Sequence, residues 1–300
     1  MPENSPAAHQ SSLLFRLIGG LPLPWVHRLG CLVGWLVYAL SGAYRRRLRE
    51  NLDRALDGEV PNALRRAAVG EAGKQALEAV WVLMRPQDEV VARAIEASGL
   101  EHVEAAKAQG RGILFLTPHL GCFEIAGQFL AARFGPFTAL YREPKQAPLG
   151  QLIQAGRARG NMSIAPADLS GVRRLIKALR HHEMVGMLPD QAPGAGEGMW
   201  CDFFGRPAWT MTLAARLTEV PGVTVLTTLG ERLPDGAGWH VRFAPFVQPL
   251  EGDTAARVRI INREMEGLIR RFPAQYLWSY NRYKVPEGVS PPAVEPGKSR

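Results

Sequence analysis

From residue 110 onward the chain alternates between short apolar runs and helical stretches, and this alternation restricts the fold more than any other feature. The apolar runs cover residues 113–116, 137–141, 184–188, 223–229 and 239–243. Stretches with helical spacing of apolar positions lie between the first four, at residues 123–134, 148–159, 171–181 and 210–219. Strands joined through helices fold into a mostly parallel or mixed central sheet with helices on its faces, so the fold class is α/β. An apolar-periodic region over residues 48–85, interrupted by Pro61 and stopped before Pro86, predicts further helix ahead of the sheet. Residues 255–271 predict one more amphipathic helix after it.

In open α/β sheets chemistry gathers at the carboxyl ends of strands, which directs attention to the residues after the first apolar run. There the sequence reads Thr117-Pro-His-Leu-Gly-Cys-Phe-Glu124. Residues five apart on a regular helix point roughly 140° away from each other. His119 is therefore expected in the loop before the helix, with Glu124 in its first turns reaching back to the imidazole. A carboxylate on one ring nitrogen fixes the tautomer and frees the other nitrogen to accept a proton. An isolated pair at this spacing is more often a satisfied histidine at a helix start; delivery by an apolar strand to a sheet edge favours the catalytic reading. The N–H groups of Gly121 and Cys122 are expected to face an oxyanion there. The Cys122 thiol has no nucleophile signature beside it and is expected to be a small packed group.

Basic residues follow several of the other runs: Arg142 after the second, Arg157 and Arg159 at the end of the next helix, and Arg206 in a later loop. Each alone is as readily a solvated surface arginine. Together, beside a base, they predict binding of an anionic substrate, because guanidinium matches phosphate in a bidentate fork. Asp190 follows another apolar run and is expected either at the same edge or simply opening a turn. No metal is expected, since His102, His181 and His182 lack the spacing of a zinc site relative to His119.

Three hundred residues, 46% of them hydrophobic, supply one large core without requiring a second domain. A net charge of +8 favours anionic partners: nucleic acid, an acidic carrier protein or an anionic membrane surface. No nucleic-acid motif appears, which leaves a non-catalytic basic membrane- or nucleic-acid-binding protein as the alternative from another class. Residues 29–44 carry no charge, hold Trp35, Tyr38 and Tyr44, and run directly into Arg45-Arg46-Arg47. With Pro22 and Pro24 ahead of it, this run is short of the roughly 20 residues of a spanning helix. A helix lying in the interface, a true span and a buried core helix all remain open, and in the first two cases the arginines mark the cytoplasmic side.

As a set, these motifs resemble the lipid A biosynthesis (late, secondary) acyltransferases of Gram-negative bacteria, a branch of the glycerolipid acyltransferase superfamily. That family carries a glycine-histidine-phenylalanine-glycine-asparagine-tryptophan-glutamate run, which stands here as Pro118-His-Leu-Gly-Cys-Phe-Glu124. The resemblance continues through Tyr141-Arg142, Gly156-Arg-Ala-Arg159, Asp190-Gln191, Phe203-Phe-Gly-Arg206 and the segment from Trp278 to Lys284. It implies a membrane-associated segment over residues 1–47 and an acyltransferase domain over residues 48–284, while residues 285–300, rich in Pro and Gly, are expected as a disordered tail by composition. It further implies acyl transfer from an acyl carrier protein to a glycolipid hydroxyl, with His119 and Glu124 as the catalytic pair, at the cytoplasmic side of the bacterial inner membrane. No metal, cofactor or covalent intermediate is implied. Pro118, Leu120, Cys122 and Phe123 depart from the family run, so the acceptor stays open among lipid A precursors, other glycolipids, aminolipids and lysophospholipids.

Overall fold

A seven-stranded sheet with strand order β1-β9-β8-β2-β5-β3-β4 organises the computed structural model of the chain. Residues 6–56, 58, 60–142 and 147–292 are described. In chain order the elements are α1 (Pro6–Gly20), α2 (Leu23–Leu40), α3 (Gly42–Ala55), α4 (Asn62–Met84), α5 (Gln87–Val91), β1 (Ala94–Ser98) and α6 (Leu100–Ala108). Then come β2 (Ile113–Leu116), α7 (Phe123–Phe134), β3 (Phe137–Tyr141), α8 (Ala147–Arg157), β4 (Met162–Pro166), α9 (Leu169–Arg180) and β5 (Met184–Met187). The hairpin β6 (Gly198–Phe203) and β7 (Arg206–Met211) leads to α10 (Leu213–Leu217), β8 (Thr224–Arg232), β9 (Trp239–Pro245) and α11 (Thr254–Arg271).

The expected mixed sheet is present. Strands β8, β2, β5, β3 and β4 run parallel, and β9 enters antiparallel to β8 and carries β1 parallel to itself. The central strands are apolar on both faces, as a sheet covered by helices on both sides requires. One face packs Ile113 and Phe115 against α4 and α7, while Leu114 and Leu116 pack on the other with α9, the β6–β7 hairpin and α11.

The helix expected over residues 210–219 is the exception among the connections. Its first residues pair in β7, and only Leu213–Leu217 is helical. Trp200 and Trp209 face each other across the hairpin, a cross-strand pair that ties residues 210 and 211 into the ladder. Strands β1 and β4 are short sheet edges without a sustained apolar run, so periodicity does not announce them.

Before the sheet, α2 lies along α4 at glycine contacts. A Cβ on Gly34 would stand 2.4 Å from the Val69 carbonyl, and one on Gly73 would stand 2.0 Å from the Gly30 carbonyl. Small residues at both crossings let the backbones touch, so α2 is fastened to the globular body along one side. Its other side exposes Trp25, Leu29, Leu32, Leu36 and Leu40, an apolar stripe at helical spacing. At the other end of the chain, residues 293–300 of the expected tail lie outside the described residues, and the Ser290 carbonyl accepts from Trp200 Nε1 at 3.0 Å.

Candidate active site

Strands β2 and β5 are neighbours, and Leu116 pairs with Met187 in their parallel register. His119 and Asp190 each follow three residues later, beyond the carboxyl ends of the two strands. Equal extension from a parallel register brings two residues 71 apart in sequence into contact. His119 Nδ1 lies 2.7 Å from Asp190 Oδ1, and the His119 backbone N–H donates to Asp190 Oδ2 at 2.9 Å. Asp190 is buried. Burial alone would raise its pKa, but the nearby His119 charge and the two His119 hydrogen bonds hold the carboxyl below its usual range. In the neutral ring the proton sits on the Nδ1 that faces this carboxylate, which leaves Nε2 with its lone pair.

The expected partner of His119 is corrected by this geometry. Glu124 sits in the first turn of α7, buried, and its carboxylate is held by Arg157 from the end of α8. Arg157 Nε donates to both oxygens at 2.9 and 3.2 Å, and its Nη2 donates to Oε1. Burial would lower the pKa of Arg157, yet the Glu124 carboxylate more than reverses this. Glu124 thus shapes the wall of the site through an ion pair, while Asp190 takes the ring nitrogen. The tertiary pairing of β2 with β5 decides this, and local spacing carries no information about it.

The oxyanion expectation is corrected too. Gly121 N–H donates to the Gln275 carbonyl at 3.1 Å and Cys122 N–H to the Gly230 carbonyl at 2.7 Å. The loop after His119 is stitched into a small ladder, antiparallel at Leu120 and Tyr276 and parallel at Gly121 and Gly230. Gly121 adopts φ +58°, and a Cβ there would stand 2.2 Å from the Gly230 carbonyl, so glycine is required. Gln75 of α4 completes the loop, donating to the carbonyls of His119 and Gly121 at 3.2 and 3.1 Å. The Cys122 thiol is buried, and burial pushes its pKa well up, with Glu78 adding to the rise. That environment suits packing rather than nucleophilic attack.

An open cleft of about 330 Å³ lies in front of His119, walled by Phe123, Tyr141, Arg142, Arg157, Gln191, Tyr280 and Lys284 among others. The Phe123 ring meets the His119 ring edge-on at 5.2 Å between centroids. Gln191 Nε2 stands 3.1 Å from His119 Nε2. A smaller apolar chamber of about 40 Å³ adjoins the cleft, sharing Phe123, Leu140, Arg157 and Leu188 with it and reaching Phe137, Met162 and Gly186.

Of the other expected arginines, Arg142 lies on the cleft rim, exposed, with its Nη2 on Glu197 at 3.0 Å. Arg159 turns away. It donates to the Val82 carbonyl at 2.6 Å, to the Arg85 carbonyl and to Gln128 Oε1 at 3.2 Å, satisfying carbonyls at the end of α4. Arg206 lies in the β6–β7 hairpin with its guanidinium 4.2 Å above the Tyr283 ring and is not part of the cleft wall. The sequence assigned no role to Gln191, Gln75, Tyr276 or Arg282, although Gln191 and Arg282 lie in segments it singled out. Tyr276 is buried and hydrogen-bonds Asp190, its phenol pushed well up by burial and then by the Asp190 charge. Arg282, also buried, donates to the Trp209 carbonyl and Thr210 Oγ1 at 2.7 and 2.6 Å. The signals available were the Asp190-Gln191 pair after an apolar run and the aromatic-basic segment from Trp278 to Lys284. Among the described residues no cluster of His, Cys, Asp and Glu is gathered as a metal site.

Residues 11–285 match the family described as bacterial lipid A biosynthesis acyltransferase. The chain is 30% identical over 283 residues to the lipid A biosynthesis lauroyltransferase of Escherichia coli K12, covering 91% of this chain and 90% of that protein. It is 28% identical over 206 residues to the palmitoleoyltransferase of lipid A biosynthesis from the same organism, covering 68% and 66%. A phosphatidylinositol mannoside acyltransferase of Mycobacterium tuberculosis is 29% identical over 239 residues, covering 76% and 74%.

Proposed function

The chain belongs to the bacterial lipid A biosynthesis acyltransferase family, a family of enzymes that transfer acyl groups to lipid A or a related glycolipid, and from that premise we propose its particular reaction. It transfers a fatty acyl chain from an acyl carrier protein thioester to a hydroxyl of a lipid A precursor. The observation that carries the chemistry is the 2.7 Å contact between His119 Nδ1 and a buried Asp190 carboxylate. With Nδ1 so engaged, Nε2 faces the cleft as a general base. The acceptor hydroxyl bonds to the thioester carbon while its proton passes to Nε2, and the carbonyl electrons move onto oxygen. Collapse breaks the carbon–sulfur bond, and the leaving thiolate takes the proton from Nε2. General base catalysis of this kind contributes about 10²- to 10⁴-fold. The acyl chain lies along the apolar wall of the cleft at Phe123, Leu140, Ile153 and Leu188, and Arg142 and Lys284 on the rim meet phosphate of acceptor or donor.

The site works at a cytoplasmic membrane surface. Helix α2 is long and apolar enough to cross a membrane by length and composition. A crossing would drag α4, with Arg65, Arg66, Glu71, Lys74 and Glu78, into hydrocarbon beside it. Lying in the interface instead, α2 buries its outer stripe in lipid and lets Arg28 and the run from Arg45 to Arg47 reach the headgroups.

The mannoside acyltransferase relative, nearly as similar as the lauroyltransferase, favours a second acceptor class, a mannosylated phosphoinositide. The test is mass spectrometry of total lipids from a deletion strain, paired with transfer by the purified enzyme from acyl carrier protein. Loss of one secondary acyl group from lipid A supports the first acceptor, and loss from a phosphoinositide pool the second. Unchanged glycolipids in the deletion strain overturn both.

A further inference from the structure

Attack on a thioester turns its carbonyl oxygen into an oxyanion, and donors aimed at that oxygen are usually the largest single contribution to such catalysis. The N–H groups of Gly121 and Cys122 are already spent on the carbonyls of Gln275 and Gly230. Two cationic side chains on the cleft wall are held by carboxylates, Arg157 through Nε and Nη2 by Glu124 and Arg142 by Glu197 out on the exposed rim. Gln191 is placed differently. Its Nε2 stands 3.1 Å from His119 Nε2, and among the described residues its side chain has no other partner. Because Nδ1 of His119 holds the ring proton against Asp190, Nε2 presents a lone pair. Only the N–H face of the Gln191 amide can meet it. The resting site therefore keeps a neutral donor at the point where acceptor oxygen and thioester carbon must come together.

We propose that the Gln191 side-chain amide is the oxyanion donor of the transfer, released from His119 Nε2 when the acceptor hydroxyl takes its place. This rests on the reading of His119 as the base of an acyl transfer. The incoming hydroxyl displaces the amide from Nε2 and bonds to the thioester carbon, and its proton goes to Nε2. The carbonyl electron pair moves onto oxygen, which accepts the hydrogen bond that Nε2 has given up. On collapse the pair returns, the carbon–sulfur bond breaks, and the thiolate leaves with the proton from Nε2. The amide then closes back on the base.

The test uses the full chain in detergent or vesicles, with an acyl thioester donor, the acceptor lipid and a phosphonate analogue of the tetrahedral intermediate. Gln191→Ala should lower kcat by on the order of 10²- to 10³-fold with KM for both substrates little changed, the loss seen when one oxyanion donor is removed. Affinity for the phosphonate should fall by a similar factor. Gln191→Glu, close in shape but without an N–H to donate, should lose as much. Retention of kcat to within about threefold in Gln191→Ala overturns the proposal. So does a loss of kcat with unchanged phosphonate affinity, which a residue that only positions the imidazole would give. Full activity of His119→Ala removes the base reading itself and takes this proposal with it.

Discussion

Arg157 closes Glu124 off from His119: its Nε donates to both carboxylate oxygens of Glu124 at 2.9 and 3.2 Å, and both side chains are largely buried. Breaking a buried ion pair by removing one partner typically costs about 3–5 kcal/mol, because the other charge is left uncompensated. Glu124→Ala should therefore unfold at markedly lower denaturant concentration, and the double variant Glu124→Leu with Arg157→Met should recover part of that loss. A single and a double variant equally unstable in chemical denaturation would contradict the pairing.

Asp190 is expected to matter through the His119 tautomer. Asp190→Asn keeps the shape but offers Nδ1 an amide, and should lower kcat by on the order of 10³- to 10⁴-fold, as loss of the orienting carboxylate does in comparable triads. Rates of acyl transfer measured on the purified variant decide this. A loss under about tenfold would remove Asp190 from the role.

Acid stability should report on Glu78. This carboxyl is fully buried against Arg232, His27 and Trp239. Burial would raise its pKa, but the Arg232 charge, then the hydrogen bonds from His27 and Arg232, lower it from 4.5 to about 2. A folded pKa below the unfolded one gives stability that is present above about pH 4.5 and is lost as pH falls toward 2. Unfolding free energy measured across that window should decline on acidification. Glu78→Gln should flatten the decline while costing stability at neutral pH.

The α2–α4 contact should not tolerate larger side chains. Gly34→Val and Gly73→Val each force a Cβ into backbone carbonyls, at 2.4 and 2.0 Å. Overpacking of this kind costs about 1–3 kcal/mol or more. Protease susceptibility between α2 and α3 should rise in both variants. In contrast, Leu32→Glu on the outer stripe should leave stability unchanged and reduce sedimentation with anionic vesicles.

Cys122 should be chemically silent. With its thiol buried and its pKa pushed well up, it should resist thiol reagents at pH 8 in the folded protein and react on unfolding. Cys122→Ala should retain acyl transfer to within a few-fold, and complete inactivity would restore the thiol as a candidate nucleophile.

Much of the scaffold is legible in the sequence. Strands β2 and β3 and helix α7 begin and end where apolar periodicity puts them, because a buried strand and an amphipathic helix each write their burial into local spacing. The sequence also delivered His119 to a strand end and marked Asp190-Gln191 at another. It could not say which carboxylate meets the imidazole. Glu124 is near in the chain but turned by the helix toward α8, whereas Asp190 is distant in the chain and adjacent in the sheet.

What local composition and spacing carry is the type of most elements, the uncharged run of α2 with its basic flank, and the presence of a histidine and carboxylates at strand ends. The tertiary structure decided partnership. Parallel register of β2 with β5 put Asp190 on Nδ1, the Leu120–Cys122 ladder consumed the two N–H groups at the helix start, and α8 gave Arg157 to Glu124. Each of these depends on the alignment of segments far apart in the chain, and hydrogen-bonding groups with several chemically equal partners are assigned only when strand order and register are fixed.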